Sequence, residues 1–230
     1  MSKFLRLGLA AIALTFFFNA FAVTETKAQH LNEILKRMEA HRNTLSSLRA
    51  NITMVKFNNQ LGESDTYQGT TVYAPAKGRD ALVRIDWTSP RKESLAVVNQ
   101  QYVLYNEALK QAIVGKVNDA KGNAKANNAL AFMNMSREQL RANYTVKYLG
   151  QENVRGGVAT SRLELIPKVA GSYKSAELWV DKDGMPIQAK VTENNSDSTT
   201  ILLSNLQKNG TIKASVFKID LPKGTKVVEG

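Results

Sequence analysis

"VRIDWTSPRKESLAVVNQQYVLYN", residues 83–106, is the stretch that decides the fold. Its opening residues alternate, with Val83, Ile85 and Trp87 on one face and Arg84 and Asp86 on the other, the period-two signature of a strand. A Trp-Thr-Ser-Pro corner follows. "SLAVVN" and "YVLYN" then read as two more short strands separated by turn residues, which is the pattern of an antiparallel meander. Arg84, in the middle of so apolar a strand, leaves open whether its face looks at water or into the protein.

The same pattern extends in both directions. "LRANITMVKF" and "DTYQGTTVYA" precede it, and "QAIVGKV" follows as a weaker strand. "YTVKYLG", "ATSRLELIPK", "KSAELWVDKDGMPIQAKVTEN", "STTILLSNL" and "TIKASVFKIDLP" complete the set. Asp181-Lys182-Asp183-Gly184 lies between two alternating runs and predicts a hairpin turn; Lys208-Asn209-Gly210 predicts another. Ahead of the strands, Leu31, Ile34, Leu35, Met38, Leu45 and Leu48 fall mostly at three- and four-residue spacing, which predicts an amphipathic helix over about 30–45. Residues 118–143 begin as a polar, Gly- and Asn-rich loop. They become helical around Leu130, Phe132, Met133, Met135 and Leu140.

Many strands carry bulky residues on both faces: Ile52 and Val55, Val72 and Tyr73, Val97 and Val98, Leu202 and Leu203. Two helices are too few to cover both faces of a flat sheet. A sheet of ten or eleven strands tends to curl, split or close. The expected fold is therefore mainly β with some α: a curled, incomplete antiparallel barrel with an N-terminal helix and a mid-chain helical lid over an apolar cavity. A closed lipocalin-like barrel satisfies the same count.

The N-terminus reads as an export signal. Lys3 and Arg6 are followed by an apolar run over Leu7–Phe18 and by small residues at cleavage spacing, giving a cut after Ala22 or Ala28. The run is too short for a spanning helix. Residues 1–28 are thus expected to be a signal peptide, and 29–230 a single exported domain large enough for a sizeable core. The formal charge of +11 falls to +9 when Lys3 and Arg6 leave with the leader. These charges are scattered among acids, with no basic block and no aromatic-basic signature of a nucleic-acid reader. No nucleic-acid partner is expected.

Chemistry is sparse. The chain has no cysteine, which excludes disulfides, Cys-ligated metals and a lipid-modified cysteine in this sequence. Its two histidines, His30 and His41, are eleven residues apart and off a common helix face, poor metal ligands and poor bases. No nucleophile elbow, P-loop, zinc-protease or dinucleotide fingerprint is present. Neither catalysis nor a cofactor is expected.

Across the length of the domain the sequence resembles the periplasmic outer-membrane lipoprotein carrier family, LolA. The resemblance rests on "LSSLRANITM" after the N-terminal helix, "YQGTTVYAP", the corner "VRIDWTSP", "VVNQQYVLYN" and "LELIPK". A C-terminal meander closing on Phe217-x-x-x-x-Pro222-x-Gly224 completes it. It implies a monomeric periplasmic carrier. Such a carrier would take triacylated lipoproteins from an inner-membrane ABC transporter of the LolCDE type. It would shield their acyl chains and hand them to an outer-membrane acceptor of the LolB type. It also implies that an arginine near this strand holds the lid over the empty cavity; Arg84 fits, with Arg79 as the rival. The alternative for Arg84 is a plain ion pair with a neighbouring carboxylate on an outer face. The expected cavity lining is Leu48, Ile52, Trp87, Leu95 and Val97 from strands, and Phe132, Met133 and Met135 from the lid. A carrier of another lipid would read the same way.

Overall fold

The computed structural model describes residues 10–75, 81–117, 130–131 and 135–230, with side chains from residue 27 onward. One helix, α1 (Ala10–Thr44), precedes six strands: β1 (Leu48–Asn58), β2 (Glu63–Ala74), β3 (Leu82–Ser89), β4 (Glu93–Val98), β5 (Gln101–Asn106) and β6 (Gln111–Lys116). A short helix, α2 (Arg137–Asn143), leads into β7 (Tyr144–Asn153), β8 (Ala159–Pro167), β9 (Tyr173–Val180), β10 (Pro186–Glu193) and β11 (Ser198–Lys208). A 3-10 turn at Ala214–Phe217 and a last strand, β12 (Lys226–Glu229), complete the chain.

The twelve strands among the described residues form one sheet in the order β12-β6-β5-β4-β3-β2-β1-β11-β10-β9-β8-β7. Every neighbouring pair is antiparallel except β12 with β6. The outermost strands, β12 and β7, do not pair with each other. The sheet is a curled, incomplete barrel, and not the closed one.

Register builds the inner face row by row, because partners across an antiparallel ladder point to the same side. Leu203, Ile52, Gly69 and Trp87 form one row. Ala50, Thr71, Ile85, Leu95 and Leu104 form another. Gly69 is required there: a Cβ on it would lie 2.1 Å from the Asp86 carbonyl oxygen. This half of the sheet packs on itself as one core cluster. Over the other half lies α1, whose Ile34, Leu35 and Met38 pack with Leu140 of α2 against Leu163, Leu165, Leu178 and Ala189.

The apolar residues on the outer face have a separate cover. Val72, Arg84 and Ala96 are in register on that face. The 3-10 turn Ala214–Phe217 crosses there against β3 and β4, with Phe217 buried. Both faces of the central strands are therefore occupied, one by the curled interior and one by the C-terminal segment.

Three local expectations are corrected. "TIKASVFKIDLP" is not a strand, because β11 already has β1 and β10 on its two sides and leaves no edge for a hairpin partner. Asn209 instead has φ 60° and fastens the α1–β1 link. Its Oδ1 accepts from the Ser46 backbone N–H at 2.7 Å, and the Ser47 hydroxyl donates to the Gly210 carbonyl at 2.6 Å. Among the described residues the strand count is twelve because Lys226–Glu229 adds a short parallel edge. Finally, α1 is longer than 30–45: the helix continues back through the apolar N-terminal run to Ala10.

Candidate apolar cavity

Met38, His41 and Arg42 follow helical spacing and form one face of the C-terminal part of α1, and Leu45, just past the end of the helix, continues it. That face bridges the inner surface of β1, β2 and β11 without filling the space beneath it. The helix ends where the Thr44 hydroxyl turns back to the carbonyls of Ala40 and His41, at 3.2 and 3.0 Å. The cavity below is lined by these four residues, by Leu48, Thr71, Tyr73 and Leu203 from the sheet, by Met185 from the β9–β10 turn and by Pro186, the first residue of β10. Leu130 and Met135, from the segment leading into α2, complete it. Its cavity volume is about 40 Å³, partly open to solvent, well below the range of about 300–1,000 Å³ typical of small-ligand sites, so a ligand of that size must widen it.

The lining is mostly apolar and includes Met38, Met135 and Met185. Thioether side chains adapt their shape cheaply to flexible ligands. Four polar side chains also face the cavity, Thr71, Tyr73, His41 and Arg42, and the Thr71 hydroxyl donates to the Arg84 carbonyl at 3.0 Å. Tyr73 Oη and His41 Nε2 are buried and have no hydrogen-bond partner among the described residues. Burial pushes the Tyr73 hydroxyl above its usual range, so it remains a donor. Burial, with the Lys208 ammonium acting after it, holds the His41 imidazole below its ordinary value and favours its neutral form. Arg42 is paired with Glu39 at 2.6 Å.

Glu39 connects two helices. Besides Arg42, it accepts the backbone N–H of Arg137, the first residue of α2, at 3.0 Å. Ser136 caps α2 with a capping box through Gln139. Arg141 bonds Asn32, and Lys168 Nζ holds the Arg141 carbonyl at 2.6 Å. The segment carrying Met135 is thus anchored to α1 directly beside the cavity. The Arg42 hydrogen bond and the Arg137 N–H hold the Glu39 carboxyl below its ordinary value, against the opposing effect of its burial.

The expected lining divides. Leu48 and Met135 line the cavity, whereas Ile52, Trp87, Leu95 and Val97 are packed core residues on the same inner face. Phe132, Met133 and Arg79 lie outside the described residues. Arg84 requires a correction: it is on the outer face, not over the cavity. It donates to Asp86 at 2.7–3.0 Å, to Ser94 Oγ at 3.3 Å and to the Lys218 carbonyl at 3.1 Å. The strand's period of two fixes this, since Arg84 lies opposite Val83 and Ile85. The carboxylate alternative describes it, with a strap on the C-terminal segment added. Sequence reasoning passed over Tyr73, His41 and Arg42 as site residues. The signal was there: Tyr73 is half of the two-faced pair Val72–Tyr73, and His41 and Arg42 continue the stripe from Met38 to Leu45.

A single curled sheet with a helix laid over an apolar hollow defines a class of protein built to hold apolar ligands. Residues 74–220 match the family described as "Outer membrane lipoprotein carrier protein LolA", more than half of the chain, and the protein belongs to that family. Among solved structures, it is similar to an uncharacterized conserved protein from Thermus thermophilus. That likeness has a TM-score of 0.54 at 13% identity, over 87% of this chain and 99% of that one, and shows the shared fold. It is also similar to a putative outer membrane lipoprotein-sorting protein domain from Vibrio parahaemolyticus, with TM-score 0.44 and 16% identity over 80% and 94% of the two chains. A LolA superfamily protein from Nitrosomonas europaea has TM-score 0.40 and 14% identity over 82% and 97%. No curated protein matches the chain significantly. No helix among the described residues is long and apolar enough to cross a membrane.

Proposed function

We propose that the protein is a periplasmic carrier that shields the acyl chains of triacylated lipoproteins after their release from the inner membrane and delivers them to the outer membrane. The observation that carries this reading is the apolar, methionine-lined cavity between α1 and the sheet, in a chain of the lipoprotein-carrier family. Each methylene exposed to water costs about 0.8 kcal/mol, so three long chains in water carry a penalty on the order of tens of kcal/mol. The cavity, about 40 Å³ as it stands, must open to cover them, and once it does so the penalty is removed without any chemistry. Residues 1–28 act as the export signal, cut after Ala22 or Ala28, and 29–230 form the carrier domain, a monomer. The donor is an ABC transporter of the LolCDE type and the acceptor a LolB-type protein. Arg84 straps the outer face in this reading, and the anchoring of α2 to α1 through Glu39 holds the cavity's cover in place.

The test is release. Spheroplasts stripped of periplasm are supplied with the purified mature protein, and the supernatant is probed for outer-membrane lipoproteins. A soluble one-to-one complex supports the reading. No release, together with a phospholipid or another lipid recovered from the cavity by mass spectrometry, assigns the same fold a different cargo.

A further inference from the structure

We propose that Tyr73, His41 and Arg42 form a polar subsite within the cavity that receives the oxygen-bearing head of an acyl chain. The proposal rests on the carrier reading above and names the part of the ligand this corner takes. Two buried polar atoms, Tyr73 Oη and His41 Nε2, face one apolar hollow with no hydrogen-bond partner among the described residues. Burying a polar group without a partner is unfavourable, and a ligand group that supplies the missing bond recovers that loss on binding. A bare hydrocarbon tail offers nothing to either atom. An acyl carbonyl or carboxylate offers oxygen acceptors to the Tyr73 hydroxyl, and any negative charge on it shares the cavity with the Arg42 guanidinium, which is paired with Glu39. His41 and Arg42, adjacent on α1, face Tyr73 and Thr71 across the cavity from β2. This puts the polar head at the α1–β2 side and the tail along Met135, Leu130 and Leu203.

The shared chemistry is an acyl oxygen acceptor, and it has two sources: a free fatty acid, or the ester and amide carbonyls of a protein-bound acyl group. The experiment measures displacement of Nile red from the full chain by dodecanoate, methyl dodecanoate and dodecane, for the parent, Tyr73→Phe and Arg42→Gln. The expected result is that Tyr73→Phe weakens dodecanoate and methyl dodecanoate by about three- to tenfold, the scale of one hydrogen bond, and leaves dodecane unchanged. A preference for dodecanoate over its ester that Arg42→Gln abolishes assigns the subsite to a carboxylate; equal binding of the two assigns it to an ester or amide carbonyl. If Tyr73→Phe shifts all three ligands alike, or none, the polar subsite is wrong and the carrier reading stands. If none of the three displaces the dye from the parent protein, the carrier reading itself falls. Far-UV circular dichroism of each variant separates a lost contact from a lost fold.

Discussion

Gly184 and Arg37 meet backbone to backbone. A Cβ built on Gly184 would lie 2.3 Å from both the carbonyl carbon and the carbonyl oxygen of Arg37. The glycine has φ +86° at the tip of the β9–β10 hairpin, where the Asp181 carboxylate accepts from the N–H groups of Asp183 and Met185 at 2.9 and 2.8 Å. Arg37 donates in return to the Lys182 carbonyl at 3.0 Å. Met185 and Pro186, the next two residues, line the cavity. Replacement of Gly184 by alanine combines left-handed backbone strain with a backbone clash, and is expected to cost about 2–4 kcal/mol. Urea denaturation measures the loss, and faster amide exchange along α1 from Arg37 onward locates it.

Met135→Glu places a charge on a cavity wall where the native side chain is only half-buried. The fold is expected to survive, with a stability change within about 1 kcal/mol, while capture of acylated lipoprotein is lost, because an acyl chain cannot cover a carboxylate without desolvating it. The spheroplast release assay checks this, with thermal unfolding as the control.

Arg84→Leu removes a guanidinium that ties Asp86 and Ser94 to the Lys218 carbonyl. Stability is expected to fall by about 1–3 kcal/mol, the scale of hydrogen bonds to a charged group. Hydrogen exchange is expected to rise over Ala214–Asp220, while lipoprotein transfer to an acceptor proceeds at the parent's rate. Slow transfer with unchanged exchange in this segment would instead return Arg84 to a gating role.

The depressed Glu39 carboxyl gives a stability with a definite pH window. A carboxylate held below its ordinary value of 4.5 in the folded state stabilises the protein fully above that value, and the contribution is lost as pH falls through the lower folded-state value. Glu39→Gln is expected to cost about 1–2 kcal/mol near neutral pH, with the difference from the parent shrinking as the pH drops below about 4. Denaturation at both ends of the range measures it. Protease cleavage just before Arg137, faster in the variant at neutral pH, ties the effect to the α1–α2 joint.

Much of this was legible before the fold was known, for a physical reason. Strand periodicity survives in a single sequence, so Val83, Ile85 and Trp87 marked an inner face. Leu163, Leu165 and Leu178 are likewise buried on the inner side of their strands. What failed were questions of which edge was free and which side was covered. "TIKASVFKIDLP" alternates well enough for a strand, and only the position of β11 between two partners rules it out. Arg84 showed its parity but not its neighbour, because Lys218 lies 134 residues away. The cavity's polar corner was hidden for a similar reason. His41 and Tyr73 come together only when α1 folds back over β2, and a lone histidine on a helix gives no sign of that.

The unjoined margin between β12 and β7 has a mechanical consequence. In a closed barrel the circumference is set by strand number and stagger, so the interior cannot widen without breaking a ladder. Here, among the described residues, eleven ladders follow one another from one edge to the other, some with a shift in register, and the sheet's radius of curvature is not tied to any of them. Small changes in twist between successive strands add up across the sheet and alter how far the two margins stand apart, while every backbone bond is kept. On the proposed carrier reading, capacity becomes an elastic property of the whole sheet, and cargoes of different girth would be admitted at the cost of bending alone.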